Sequence, residues 1–386
     1  MMIYLDYAAT TPTSDEALNI YNEVAKNMYG NPSSLHDVGT TANNLLELCR
    51  NELATILNGQ SEGVFFTSGG SESNILAIRS LIRAHRYKGN HLITTVTEHS
   101  SIINLFKQLE CEGFVVTYLP VDHYGQISIE ELVEAVQPNT ILASIHYVNS
   151  EIGTIQPVKK IGPILRQKGI IFHSDCVQAF GKIPIDMITD SIDSLSISSH
   201  KIYGPKGVGA VYLNPAIKWE SVFPNTTHEK GLRPGTINVP GIAAFVTAAK
   251  QVCTDLEKER QRLAELRQLF VDGLKSLNQK TTIEGHYKDQ LPNIIGLSIN
   301  GIEGQYTMLE LNRYQIAIST GSACQVGKQT PSKTMIAIGK SPEVAKQFIR
   351  LSLGKFTTKE DIDYTISSLK ELMTQFKNDR NNEGAV

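Results

Sequence analysis

Short apolar runs rich in β-branched and aromatic residues recur through the first two-thirds of the chain. Residues 64–67, 91–96, 114–118, 141–145, 170–173, 194–197 and 208–213 carry this pattern, and each reads as a strand. Between them the period changes to that of a helix. Ile102, Leu105, Phe106 and Leu109 fall at helical spacing, and Ser128 precedes Glu131 as in a capping box, ahead of Leu132 and Val136. Continuous apolar strands alternating with helices predict an α/β fold with a mostly parallel sheet covered on both faces.

The pattern changes after about Gly241. A long charged helix holds Leu256, Leu263, Leu266, Leu269 and Phe270, and shorter strands follow at 294–299, 316–319 and 349–353. A last amphipathic helix begins near Thr357-Thr358 and carries Ile362, Ile366, Leu369 and Leu372. This predicts a smaller α+β domain, which the N-terminal strand can join. The polar tail 378–386 reads as frayed.

Composition narrows the classes. The chain has 386 residues, 41% hydrophobic and 19% charged, enough for a large core in two domains. A formal charge of −3 gives no general reason to expect nucleic-acid binding. The first seven residues lack the basic and apolar regions of a signal peptide, and no apolar run approaches the roughly 18 residues that cross a bilayer. Cys49, Cys111, Cys176, Cys253 and Cys324 are scattered, without a C-x-x-C pair. Neither a disulfide framework nor a structural zinc site is indicated, and a cytoplasmic protein with reduced thiols is the simplest expectation.

In an open parallel sheet, ligands bind beyond the carboxyl ends of the strands, and several reactive residue types fall there. Thr67-Ser68-Gly69-Gly70-Ser71 leaves a strand and opens a helix, which makes a phosphate cup or a glycine turn capped by Ser71. Asp175 follows the run 170–173, and helix capping is the default role for a carboxylate there. Lys201 follows the run 194–197 among serine, histidine and glycines; it is either a solvated charge or a partly desolvated Schiff-base amine. Glu98-His99 ends another strand, with no second histidine at zinc-ligand spacing. Gly321-Ser322-Ala323-Cys324 ends a strand in small residues, which favours an exposed mobile loop, although for a cysteine taken alone a small buried hydrophobe is the default.

Taken in order, these motifs resemble the cysteine desulfurases of the IscS/NifS type, fold-type I enzymes that use pyridoxal 5'-phosphate (PLP). The resemblance also covers residues 4–12, 30–34 and 349–354. It implies a large PLP-binding domain, 15–255, with a mostly parallel seven-stranded sheet. It implies a small domain built from 1–14 and 256–386. The implied activity is removal of sulfur from L-cysteine, giving L-alanine and a persulfide on Cys324. A homodimer would pass that sulfur to acceptor proteins of iron–sulfur cluster assembly, tRNA thiolation or cofactor biosynthesis, with no direct contact to nucleic acid or membrane.

Carried over residue by residue, the resemblance makes Lys201 the cofactor-bearing amine. Asp175 would pair with the ring nitrogen, and His99 would stack on the ring and move protons. Gln178 would reach the phenolic oxygen, while Gly70, Ser71, Ser198 and His200 hold the phosphate. Thr236 would reach the phosphate of the neighbouring subunit. Arg350 would clamp the substrate carboxylate, with Asn31 and Ser150 beside the substrate.

Two departures stand out. Ser150 occupies the place of the second asparagine the family carries before Glu-Ile-Gly, and Pro224-Asn225-Thr226-Thr227 replaces the glycine run before His228. The rival readings are a selenocysteine lyase or another PLP enzyme of the same fold, a non-catalytic scaffold, and a phosphate-binding nucleotide enzyme. Loss of desulfuration in Cys324→Ala separates the first from a desulfurase.

Overall fold

The computed structural model describes residues 2–277, 281–321 and 331–383. Its strands are β1 (Ile3–Tyr4), β2 (Val64–Thr67), β3 (His91–Thr95), β4 (Val115–Leu119), β5 (Thr140–Ser144), β6 (Ile171–Asp175), β7 (Ser194–Ser198), β8 (Gly209–Leu213), β9 (Thr281–Glu284), β10 (Ile294–Ile299), β11 (Ile316–Ala317) and β12 (Phe348–Ser352). Strands β2 to β8 form one seven-stranded sheet in the order β2-β8-β7-β6-β5-β3-β4. Every pairing from β4 across to β7 is parallel, whereas β8 runs antiparallel to both β7 and β2. The exception has a simple cause. Residues 199–208 leave no room for a crossover helix, so the chain turns back beside β7.

Both faces of this sheet are buried, and successive residues of each strand point to opposite sides. Phe65, Leu92, Leu142 and Ile171 enter one core with the helices Gly70–His85 and Ser100–Cys111. Their neighbours Phe66, Ile93, Ala143 and Phe172 enter the other, against Asp37–Ile56, Val158–Gln167 and Val239–Thr254. A half-exposed strand would have shown polar alternation. Here most of the runs are mainly apolar; β7 is the exception, alternating buried serines with Leu195 and Ile197.

Beyond the large sheet, β9, β10 and β12 form an antiparallel sheet, and β1 pairs with β11 in parallel. Strand β9 carries little apolar pattern and was not legible in the sequence; its Thr281, Thr282 and Ile283 are only partly covered or exposed. The backbone of Arg350 exchanges hydrogen bonds with Ser319, at 2.7 and 3.1 Å, and Ser352 N–H donates to Leu5 O at 2.7 Å. A separate apolar cluster includes Leu5, Phe270, Ile295, Ile349 and Leu369. Among the described residues, no helix is long and apolar enough to cross a membrane.

Candidate active site

The chain gathers its reactive side chains where the parallel strands end. Turns after β2, β3, β5, β6 and β7 meet Gly321 and Arg350 around a cavity of about 380 Å³. Gly70, Ser71, His99, Ser150, Asp175, Gln178, Ser198, His200, Lys201 and Arg350 all line it.

One end suits an anion. Helix Gly70–His85 starts directly after β2, and no side chain caps its first turn. Gly69 lies at φ +151°, and a Cβ added at Gly70 would come within 2.5 Å of Val177 Cγ2, so the glycines keep this cradle open. Ser198 Oγ is buried against them without a hydrogen-bond partner. His200 uses Nδ1 on Thr10 Oγ1 at 3.1 Å. Free N–H groups at a helix start, an unclaimed hydroxyl and a second ring nitrogen form a donor set for a phosphate.

Lys201 sits on the short turn that joins β7 to β8, and its amine donates to the carbonyls of Ala8 and Ala9, the latter at 2.8 Å. Asp175 ends β6. Its Oδ1 accepts from Val177 N–H at 2.9 Å and its Oδ2 from Asn74 Nδ2 at 2.8 Å. The Gln178 amide donates to Ala8 O at 2.9 Å and accepts from Lys182 Nζ at 3.0 Å. Burial, with Lys201 and Arg350 nearby, draws the Lys182 amine down to about 7.

Arg350 projects from β12 into the opposite wall. It donates to Ser150 O at 2.9 Å and to Asp6 Oδ1 at 2.7 Å, while its buried Nε meets no partner. Ser150 therefore contributes a backbone carbonyl to the arginine, whatever its side chain does. The preceding Asn149 closes its own turn by accepting from the N–H groups of Glu151 and Ile152. His99 stands exposed at the rim.

Not every expected residue is there. Asn31 and Thr236 are exposed and do not line the cavity, and Asn31 Oδ1 accepts from Ser33 N–H in its own turn at 3.0 Å. Cys324 lies outside the described residues. Gly321 and Pro331, which flank that stretch, both line the cavity. Sequence reasoning also missed Asp6 and Asn74, and it missed Glu151, whose carboxylate accepts from the hydroxyls of Ser332 and Thr334. Asp6 lies inside the quoted motif 4–12, but nothing in the sequence names its partner.

The donor set suits the parts of PLP: an anion cradle, a lysine and a carboxylate line one cavity. Among the described residues no group of three histidine, cysteine or acidic side chains is placed to hold a metal.

The comparisons agree with this geometry. A family model described as aminotransferase class V matches residues 3–365, and the chain belongs to that family. Within the family it is similar to NifS of Bacillus subtilis (strain 168), 48% identical over 97% of this chain and 96% of the relative. The cysteine desulfurase IscS of Methanosarcina thermophila is 39% identical over 97% of this chain and 93% of its own. The solved structure of a NifS-like protein superposes with a TM-score of 0.91 and 33% identity, over 97% of this chain and all of that one. The fold-type I expectation therefore holds, with β8 as the antiparallel member.

A pH dependence follows from two histidines. Burial holds His173 down at about 4, and burial with Lys201, Lys206 and Lys182 holds His200 at about 4. Both stay neutral in the folded chain, whereas unfolded histidines take a proton below about 6.5. Their stabilisation is whole above about 6.5 and drains as pH falls toward 4. Glu98, raised by burial, acts in the opposite sense. The urea midpoint is expected to fall from pH 8 to 7, where unfolded Lys182 is protonated and the buried amine largely is not, and to fall further from 6.5 to 5, with His173 contributing up to ~1.4 kcal/mol per pH unit. A midpoint that rises on acidification contradicts this assignment.

Proposed function

We propose that this chain is a PLP-dependent cysteine desulfurase that takes sulfur from L-cysteine, releases L-alanine and collects the sulfur on Cys324. The observation that carries the proposal is the convergence of Lys201, Asp175, the Gly70–Ser198 cradle and Arg350 on one cavity. The likeness to a relative named cysteine desulfurase supports the choice of substrate.

Gly70, Ser71, Ser198 and His200 would hold the cofactor phosphate, Asp175 its ring nitrogen and Gln178 its phenolic oxygen. His99 would cover the ring face. When bound, the cofactor supplies a carbonyl carbon for amine capture and a conjugated sink for electrons. Lys201 holds the cofactor before substrate arrives and then carries protons at its Nζ. Arg350 binds the substrate carboxylate, a planar anion its guanidinium suits, by exchanging contacts it makes now with Asp6 and Ser150 O.

The Cys324 thiolate attacks the substrate sulfur. An S–S bond forms and the C–S bond breaks, its electron pair passing to the former Cβ, which takes a proton to become the methyl of alanine. The two sulfurs are left as a persulfide. Cys324 lies outside the described residues, and Gly321, three positions before it in the sequence, lines the cavity.

The exposed Asn31 and Thr236 fit a homodimer in which each serves the neighbouring cavity. The apolar side chains near Asn31 support this, since Tyr29 is 71% and Leu35 100% exposed. An apolar cluster built from Leu5 and residues between 263 and 373 alone supports a division into 15–255 and 1–14 with 256–386. Transfer from the persulfide to a sulfur-acceptor protein in the cytoplasm completes the proposal.

The test is spectroscopic and chemical. Purified protein with added PLP is expected to gain a band near the visible edge and, given L-cysteine and a thiol reductant, to release alanine and sulfide in equal amounts. A protein that takes up no PLP, or binds it and releases no alanine, refutes the assignment.

A further inference from the structure

Asn74 lies on the first turn of helix Gly70–His85 and is fully buried. Its amide meets the site on three sides. Nδ2 donates to Asp175 Oδ2 at 2.8 Å and to Ser101 Oγ at 3.1 Å, and Oδ1 lies 3.2 Å from His173 Nε2.

Valence fixes the hydrogens in this network. Asp175 Oδ2 accepts, so the NH₂ end of the amide must face it and Oδ1 must face His173. An amide oxygen only accepts, so His173 carries its proton on Nε2. The ring is sealed in the sheet and neutral, which leaves Nδ1 bare to accept from the Ser194 hydroxyl at 2.9 Å. On the other side, Ser101 Oγ takes a hydrogen from Asn74 and turns its own toward His99 Nδ1 at 2.8 Å. The Ser101 backbone N–H also donates to that nitrogen, at 3.2 Å. A neutral His99 therefore holds its proton on Nε2.

We propose that Asn74, its amide facing His173, is a positioning residue that orients Asp175 and fixes the tautomer of His173, and that through Ser101 it is linked to His99. One buried amide thereby ties the carboxylate beneath the cavity to the histidine at its rim. Its use for catalysis rests on the PLP assignment above, whereas the hydrogen order does not.

A residue that only fastened helix to sheet would change stability and leave the tautomers alone. The test uses full-length protein labelled with ¹⁵N in the histidine rings, with His99→Gln and His173→Gln spectra for assignment. Without cofactor at pH 8, both rings are expected in the Nε2–H form. Asn74→Ala is expected to give His173 a mixture of tautomers and to weaken PLP binding roughly tenfold, the effect of losing a hydrogen bond to a charged group. Ser101→Ala, which spares the Asn74–Asp175 bond and keeps the backbone N–H of residue 101 on His99 Nδ1, is expected to leave both tautomers in place while PLP affinity stays within about threefold. If Asn74→Ala does not fold, the wild-type spectra still decide. Either ring in the Nδ1–H form in wild type, or a His173 tautomer unmoved in Asn74→Ala, overturns the proposal. Wild type with the expected tautomers but no PLP uptake overturns the cofactor assignment and leaves the hydrogen order standing.

Discussion

Lys201→Ala is expected to lose the visible-edge band and to release alanine roughly 10³-fold more slowly than wild type, or slower. On the proposed function the amine would have two tasks: to hold the cofactor by a covalent bond, and to carry protons to and from the substrate. Its place on the turn between β7 and β8 is fixed by the antiparallel return of the chain, and the carbonyls of Ala8 and Ala9 aim it. Lys182 cannot take over, because it is engaged with Gln178 and does not line the cavity. Lys333 does line it, so Lys333→Ala is the control that should keep the band. Borohydride reduction of wild type followed by peptide mapping locates the attachment. Cofactor found on any lysine other than 201 would remove that residue from its role.

The largest loss of stability is expected for Glu229→Ala, at about 3–5 kcal/mol. Its carboxylate grips the buried Arg50 in a two-pronged pair, at 2.9 and 3.0 Å, and also accepts from Phe66 N–H at 2.7 Å. The side chains are 3% and 1% exposed, so removing the acid strands a cation that water cannot reach. Glu47, the other acid on Arg50, is half exposed and screened. Glu229→Gln keeps part of the hydrogen bonding and is expected to lose less. Replacing both partners, as in Arg50→Met with Glu229→Leu, is expected to recover most of the loss. Urea midpoints at unchanged slope measure the series. A Glu229→Ala midpoint close to wild type would show that the pair contributes little.

The same pair anchors the chain just after the segment in which the glycine run is missing. Asn225, Glu229 and Lys230 all adopt positive φ, at 57°, 44° and 53°, a region that non-glycine residues enter only at some cost. Glycines would take those angles freely. Here the buried ion pair holds the loop in shape, and the loop continues to Arg233, which donates to Glu72 beside the phosphate cradle at 2.8 Å.

How legible was all this in the sequence? The large sheet was, because strands buried on both faces leave unbroken apolar runs such as 141–145 and 208–213 that survive reading without coordinates. The reversal of β8 was not, since an apolar run looks the same in either direction and only the length of its connection gives it away. The cavity residues were recognisable as turns after strands, yet each alone had a plainer explanation: Asp175 as a cap, Lys201 as a surface charge. What decided between them was convergence in space, to which single-chain spacing is blind. Partners far apart along the chain stayed hidden for the same reason, as with Asp6 and Arg350, or Arg50 and Glu229. Asn74 was invisible because a helix-borne asparagine carries no signal of what its amide will meet.

The central claim is that one thiol receives sulfur drawn from cysteine by the cavity centred on Lys201. The most direct measurement adds one equivalent of L-cysteine to PLP-loaded protein without reductant, then quantifies alanine and maps the peptides by mass. The account predicts about one alanine per chain and one added sulfur atom on the peptide holding Cys324. Alanine released with that peptide unchanged, or the sulfur found on Cys111 or Cys253 instead, would contradict it.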